Sequence, residues 1–593
     1  MSDMDVIGTS AGKRFQCWLE DLEAAIESPD SSAFSALFAE QGYWKDILSF
    51  TGGYRTYAGA DEIREAWKAQ APQALPKNVR LAAHRTAPRQ LRRSARDVVE
   101  GYFDFDTAHG QGTGFARLLV PVGDAPPKAW LLLTTLQQLA GHEEMVGSRR
   151  PTGVNYSTKF AGDNWLDERI AEQTFEDRDP EVVIAGGGQG GLIIAARLRQ
   201  MGVDALVVEK RARVGDNWRH RYHSLTLHNE VWANSLPYMP FPETWPTFVP
   251  KDKLAGWLEA YAEAMELNVW TSTEMRTAEY DERSATWTIN LSGPGGMNRT
   301  VKTRHLVMAV GGSTGVPNIP DLPGLAEFRG DVVHSSRFTS GMSYAGRHAV
   351  VVGTGTSGHD VAQDLYENGA ASVTMIQRGP TCVVSLVPSG TMVYAVYSEG
   401  PPPDDVDLIT AAIPYEVLRD TYQWLTKKTC QLDQKLLDGL RDAGFKLDFG
   451  HDNTGFHMMY LRYGGGYYIN VGCSELIIDR KIGLLQAENI ATFSEDGLVT
   501  TAGTSYPVDL VVLATGYRNL REGLARMFGA DVADRIGPVW GFDENHIMRN
   551  MWQRTRQPGL WITGGSLIDA RLYSRFLALQ ITAELNGVEL PQD

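Results

Sequence analysis

The sequence predicts an α/β protein built on two Rossmann-type dinucleotide-binding domains, preceded by a small α+β cone. Three observations carry this prediction. Two glycine fingerprints occur, Gly186-Gly187-Gly188-Gln189-Gly190-Gly191 and Gly353-Thr354-Gly355-Thr356-Ser357-Gly358. Each follows β-branched residues (Val182 to Ile184, Val350 to Val352) and opens a helix-like segment, the context in which G-x-G-x-x-G holds a pyrophosphate. The chain before about residue 150 instead reads as helices followed by strands separated by Gly and Pro turns.

At 593 residues the chain is too long for one core. The pattern divides it into a cone at 1–150, a polar linker at 151–178, the first part of one dinucleotide domain at 179–338, the second dinucleotide domain at 339–505 with an aromatic-rich insert at 382–473, and a return to the first domain at 506–593. The net charge of −16 argues against nucleic-acid or anionic-membrane partners. Cys17, Cys382, Cys430 and Cys473 form no C-x-x-C pair and no zinc spacing, so no metal and no thiol redox centre is expected and a reducing cytosol fits. The start, Met1-Ser-Asp-Met-Asp5, lacks the apolar core of a secretory signal, and Ala129 to Ala140 is too short and polar to span a bilayer. A cytoplasmic, soluble protein is the expectation.

Within the cone, Trp18, Leu22, Ala25 and Ile26, then Phe34, Leu37 and Phe38, have helical spacing over Phe15 to Ala39, with Ser31 and Ser32 as N-caps of the second helix. Ala60 to Ala69 reads as a third helix, and Val98 to Phe105, Gly114 to Val122 and Trp130 to Leu139 as strands. A short helix is expected in the linker at Trp165 to Gln173. No internal repeat is visible beyond the two fingerprints.

In the first fingerprint, Glu181 to Ala185 is the strand, Gly186 allows the turn, Gly188 lets backbone approach phosphate, and Gly191 allows close packing of the helix Leu192 to Gln200. The next strand, Ala205 to Val208, ends at Glu209 and Lys210. Glu209 lies 18 residues after Gly191, where an acceptor for a ribose hydroxyl belongs. In the second, the strand Val373 to Ile376 ends in Gln377-Arg378. An arginine pairs with a 2′-phosphate that an acid would repel, so Arg378 favours NADPH over NADH.

Phe328-Arg-Gly330-Asp-Val-Val-His334-Ser-Ser-Arg-Phe338 resembles the F-x-G-x-x-x-H-x-x-x-[YF] signature of flavin-containing monooxygenases. Phe338 favours that family over the related Baeyer–Villiger enzymes, whose signature ends in Trp. Ala514-Thr515-Gly516-Tyr517 resembles the family's late A-T-G-Y segment, and Gly215-Asp216-Asn217-Trp218 its G-G-x-W turn, with Asp216 departing from the second glycine. Leu236 to Glu243 is similar to the family's proline-rich segment and looks closest to the plant YUCCA-type enzymes. The resemblance covers about 180–593. The cone resembles a nuclear-transport-factor-like (SnoaL-like) domain, judged from Ala36 to Asp46 and the later strands.

The resemblance implies FAD on the first fingerprint (Gly186, Gly188, Gln189, Gly190, Gly191, Glu209, Lys210, Asn217, Trp218) and NADPH on the second (Gly353, Gly355, Thr356, Ser357, Gly358, Arg378), with Thr515 and Gly516 near the cofactors. It also implies a reaction. NADPH reduces the flavin, dioxygen adds at C4a, and the hydroperoxide, sheltered from water, oxygenates a small apolar or aromatic N-, S- or carbonyl-containing substrate. His228 takes the position of the asparagine that sits beside the flavin in animal members, with Asn229 next. Both are candidate catalytic residues; His228 either donates to the peroxide or the nicotinamide ribose, or packs, and as a donor it would make transfer pH-dependent near neutrality. His334 reads as a base or as a link between the nucleotide domains. Arg571 and Ser574, at an amphipathic helix opening near Ala570 and running to Leu585, are further cofactor candidates.

The aromatic insert (Tyr394, Tyr397, Tyr415, Tyr422, Trp424, Phe449, Phe456, Met458, Met459, Tyr460, Tyr463, Tyr467, Tyr468) suits a substrate pocket or a helical lid hinged at Gly464 to Gly466. Asp46, Tyr43 and Tyr102 form either an acid–base set in the cone or parts of its packing; the cone itself reads as a dimerisation or substrate-gating module. The alternatives are a Baeyer–Villiger oxygenase, an NADPH-dependent flavin reductase or oxidase, and a cone-mediated binding protein with a vestigial flavin fold.

Overall fold

The computed structural model describes residues 9–121, 123, 125–152, 160–311 and 316–591. The acidic start, Val122 at the end of one expected strand, and part of the linker lie outside the described residues.

The N-terminal domain is a seven-stranded sheet wrapped on two helices, Ser10–Glu27 and Gly59–Ala74. Its main path runs Tyr54–Ala58, Phe38–Ile47, Lys128–Leu139, Gly110–Leu119, Arg96–Asp106, Lys77–Leu81, with Arg89–Arg93 also paired to Arg96–Asp106. The Phe38–Ile47 and Lys128–Leu139 pair is parallel and the others antiparallel. Both faces are covered. Trp44, Phe103, Phe105 and Leu132 face inward onto Phe15, Trp18 and Trp67 of the helices. Ile47, Tyr102, Phe115 and Leu133 face outward into a cluster shared with the strand Val182–Ala185 and the helix Leu567–Leu585. Burial on both sides explains the near-continuous apolar runs of these strands.

Two expectations change here. The second helix is one short turn, Ser31–Ser35, capped by Asp30, whose carboxylate accepts from Ser32 N at 2.9 Å, not by Ser31 or Ser32. The segment after it is the strand Phe38–Ile47. In the linker, the expected helix spans Trp165–Thr174 and is closed by an Asn164/Asp167 capping box.

The first α/β body has a five-stranded parallel sheet, ordered Asn268–Trp270, Ala205–Val208, Val182–Ala185, His305–Met308, Leu560–Ile562. The second is ordered Gly483–Gln486, Ser372–Gln377, His348–Val352, Leu510–Leu513, Asp331–His334, also parallel. In both, the glycine-motif strand is central, with the next strand of the motif on one side and a late strand on the other. The chain thus repeats the parallel sheet expected of each of its two dinucleotide-binding units. Strand Asp331–His334 joins the second sheet before residue 339, and Leu510–Leu513 pairs there too; the chain re-enters the first sheet only at Leu560–Ile562.

The final helix begins at Leu567, behind a Ser566/Asp569 capping box, rather than near Ala570. It is buried nearly all round instead of being amphipathic, because it runs between the first α/β body and the outer face of the N-terminal sheet. Between Cys382 and Cys473 a parallel strand pair, Cys382–Ser385 with Tyr467–Asn470, carries helices Pro403–Ala411, Tyr415–Leu432, Gln434–Asp442 and Gly455–Tyr463.

Candidate active site

The first cradle is closed by contacts that admit no side chain. A β-carbon at Gly186 would lie 2.6 Å from Ala309 O, and one at Gly191 only 1.9 Å from Gly186 O. The helix Gln189–Gln200 starts at Gly188 with no side-chain cap, leaving its first amides free for an anion. Asn217 stands over Gly188, and its Oδ1 is buried without a partner; so is Oγ1 of Thr563, beside Gly190. Orphaned polar atoms around an uncapped helix start fit a bound pyrophosphate. Glu209 is buried and accepts from Gly187 N at 2.7 Å and Arg211 N at 2.8 Å, which fixes the carboxylate at the end of its strand. Lys210 points to solvent. Asp216 lies in the short helix Asp216–Arg219, takes Arg213 N at 3.1 Å and pairs with Arg219 at 3.0 Å, so no glycine is needed there. Trp218 Nε1 donates to Gln189 at 3.2 Å.

The second cradle repeats the first. A β-carbon at Gly353 would meet Ala514 O at 2.4 Å, and one at Gly358 would meet Gly353 O at 2.2 Å. The helix Thr356–Glu367 starts at Gly355, again without a side-chain cap. Thr356 Oγ1 donates to Tyr467 O at 3.1 Å. Arg378 is exposed and makes no hydrogen bond or ion pair among the described residues. It suits a phosphate that only an added ligand brings.

Gly353, Gly355, Thr356, Ser357, Arg378, Thr515 and Gly516 line one cavity of about 1530 Å³, which also takes in Trp218, His228 and Asn229. His228 is half-buried, and burial pushes its pKa below the ordinary histidine value. It is neutral at neutral pH, which moves its titration to the acid side of the expected range. Asn229 donates to Asn234 Oδ1 at 2.9 Å. His334 contacts Gly516 O through Nε2 and Ser336 Oγ through Nδ1, both at 2.9 Å, so it ties the signature strand to the loop after Leu513.

The insert supplies the far end of the cavity. Of its expected lining residues, Tyr394, Tyr397, Tyr415, Tyr422, Trp424, Phe456, Tyr460 and Tyr467 line the cavity, whereas Phe449, Met458, Met459, Tyr463 and Tyr468 do not. No local sequence pattern marks His457. It lines the cavity, its Nδ1 lies 2.7 Å from Tyr422 OH, and burial pushes its pKa to about 4. Tyr460 OH donates to Asp569 at 2.7 Å. Arg571 is buried and bonded to Asp407 at 2.7 Å, Ala233 O and Ser235, and Ser574 donates to Arg571 O. These contacts hold the insert helix Pro403–Ala411 onto the final helix.

The cone's three candidates do not converge. Asp46 points inward and accepts from Thr134 Oγ1 at 2.6 Å and from Phe50 N and Thr51 N at 3.0 and 2.9 Å. Tyr43 and Tyr102 stand on the opposite face, and Tyr102 OH donates to Asp405 O at 2.8 Å.

A family model described as pyridine nucleotide-disulphide oxidoreductase matches residues 183–388. All four cysteines are free, and Cys382 and Cys473 are buried. The chain is 31% identical over 358 residues to an indole-3-pyruvate monooxygenase, YUCCA1, of Oryza sativa subsp. japonica, covering 60% of this chain and 80% of the relative. It is 27% identical over 414 residues to the probable indole-3-pyruvate monooxygenase YUCCA9 of Arabidopsis thaliana, covering 69% and 88%. An oxidised steroid monooxygenase bound to NADP shares the fold, with a TM-score of 0.50 and 20% identity over 69% of this chain and 85% of that one. The chain belongs to the flavin monooxygenase family that contains the YUCCA enzymes, and it is an enzyme. Among the described residues no helix is long and apolar enough to cross a membrane.

Proposed function

We propose that the protein is an FAD-dependent, NADPH-consuming monooxygenase that oxygenates a small apolar or aromatic compound, with a nitrogen, sulfur or carbonyl centre, in the chamber between the second cradle, the insert and the N-terminal domain. The single observation that carries the reading is that the second cradle and the Trp218–Asn229 side of the first body open into the same aromatic-walled cavity.

The flavin, when bound, takes hydride from NADPH and activates dioxygen. The chain's own residues do the rest. Glu209 accepts from the flavin-side ribose, the uncapped starts of the two glycine helices hold the pyrophosphates, and Arg378 pairs with the 2′-phosphate. The tyrosine walls keep water from the reacting centre. Neutral His228 offers a ring nitrogen to the nicotinamide side or the reacting oxygen without adding charge. Tyr422 and Tyr460, held by His457 and Asp569, offer hydroxyls to a polar group of the substrate.

The test is rapid mixing of the NADPH-reduced, FAD-loaded protein with oxygen, followed by product analysis. Indole-3-pyruvate is the first substrate to try, because the relatives are named for it; aromatic amines, thioethers and a cyclic ketone follow. The reading predicts a transient C4a oxygen adduct and an oxygenated product in step with NADPH consumption. Reoxidation with no adduct and no product, only hydrogen peroxide, would make the protein an oxidase or reductase.

A further inference from the structure

The N-terminal domain puts four cations on the chamber wall, Lys45, Arg92, Arg93 and Arg117; the three arginines are hydrogen-bonded to Ala95 O, Glu100 and Glu399, and nothing among the described residues meets Lys45. Strand Phe38–Ile47 alternates: Trp44 packs in the domain's own core, while Ile47 belongs to the cluster on the opposite face. Lys45 shares the face of Ile47, between Thr56 on one neighbouring strand and Leu133 on the other. It lines the cavity with Tyr54, Ile413, Val417, Ile547 and Tyr573, and it makes no hydrogen bond or ion pair among the described residues. The protein's deeply buried arginines behave differently. Arg117 has Glu100 at 2.7 Å, Arg197 has Glu144 at 3.0 Å, and Arg571 has Asp407 at 2.7 Å. Lys45 is half-buried on the cavity wall with no counter-charge, and burial alone pulls its pKa down to about 8. A perturbed, unpartnered group facing a cleft is the mark of a site that awaits a ligand.

The wall that carries Lys45 is fastened to the flavin cradle. Tyr54, opposite Ile47, donates to Trp552 O at 3.2 Å and meets the Tyr573 ring at 6.0 Å, and Tyr573 stacks on Trp552 at 4.7 Å. Asp569, one helical turn before Tyr573, and Ser566 close the turn after Gly564, which packs on Gly190.

We infer that Lys45 is a specificity residue that receives the carboxylate of an anionic substrate with an aromatic or apolar body. The N-terminal domain then supplies one wall of the oxygenation chamber. The inference rests on the monooxygenase reading of that chamber.

The experiment measures binding of 3-phenylpropionate and of its methyl ester, two probes of one shape and different charge, to the FAD-loaded full-length protein with NADP⁺, by calorimetry. Wild type should favour the acid. Lys45→Met should weaken the acid by about tenfold to a hundredfold and leave the ester unchanged, and Lys45→Arg should restore part of the preference. If Lys45→Met does not fold, Lys45→Gln carries the same prediction. Equal binding of acid and ester by wild type, or an acid preference that survives loss of the ammonium, overturns the inference. Substrate-free flavin reduction by NADPH in the same variants should stay at the wild-type rate. Failure of the oxygen-adduct experiment removes the monooxygenase reading without altering these binding ratios, so the two ideas fail separately.

Discussion

A β-carbon added at Gly191 would lie 1.9 Å from the carbonyl oxygen of Gly186; one added at Gly358 would lie 2.2 Å from that of Gly353. Gly186 and Gly353 in turn crowd Ala309 and Ala514, the residues that follow corresponding late strands of the two sheets. The two cradles share glycine spacing, strand order and uncapped helices, down to these contacts. They part at the end of the next strand: where one has Glu209, buried and held by two amides, the other has Gln377, followed by Arg378, exposed and unpartnered among the described residues. The shared backbone suits a dinucleotide, and we propose that the side chains at these strand ends set which ribose each cradle takes.

The sharpest way to break this comparison is to close one cradle at a time. Gly191→Ala should yield colourless protein that retains no FAD after gel filtration. Gly358→Ala should stay yellow while its rate of reduction by NADPH falls by about a hundredfold or more, because the helix must shift to admit the methyl group. Loss of flavin from Gly358→Ala would mean that the two seats are not separate.

Next in size is the charge difference. Arg378→Glu should lower kcat/KM for NADPH by about tenfold to a hundredfold and leave NADH within about twofold, measured as steady-state NAD(P)H oxidation. A parallel loss with both nucleotides would give Arg378 a structural role only.

A third prediction concerns stability. The folded pKa of Lys45, about 8, lies below the ordinary 10.5, so the charged form is penalised in the folded state. The penalty is full below about pH 8, shrinks as pH rises, and is gone above about pH 10.5. Lys45→Met should therefore raise unfolding free energy by about 1–3 kcal/mol at pH 7, with the gain vanishing at high pH, as read from denaturant melts. The smallest effect belongs to His228. With its pKa lowered by burial, His228→Gln should leave turnover near pH 8 within about twofold and change only the acid limb of the pH–rate profile.

The two strand–glycine–helix units were legible in the sequence because each is a local pattern with fixed spacing. Sheet membership was not. The apolar strands Asp331–His334 and Leu510–Leu513 carry no mark of which sheet they join, and only pairing with His348–Val352 and with each other decides it. Asp46, Tyr43 and Tyr102 looked like one set of polar groups until strand alternation put Asp46 on the face opposite the two tyrosines. Lys45 is the reverse case. In sequence it is an ordinary charge between Trp44 and Asp46, and its lack of a partner arises only when the outer face of its sheet is covered by the rest of the molecule. His457 likewise gains its meaning from Tyr422, which lies 35 residues away.

The outer face of the N-terminal sheet has a consequence for how this enzyme can change. On the proposed reading, redox machinery and guest selection are drawn from separate stretches of chain, one fixed by glycines that admit no β-carbon, the other by Lys45 on a strand of the N-terminal sheet. Replacing Lys45, which packs in no core cluster, would therefore alter what enters while leaving electron delivery intact, whereas Ile47 and Tyr54 on the same face also hold the two domains together.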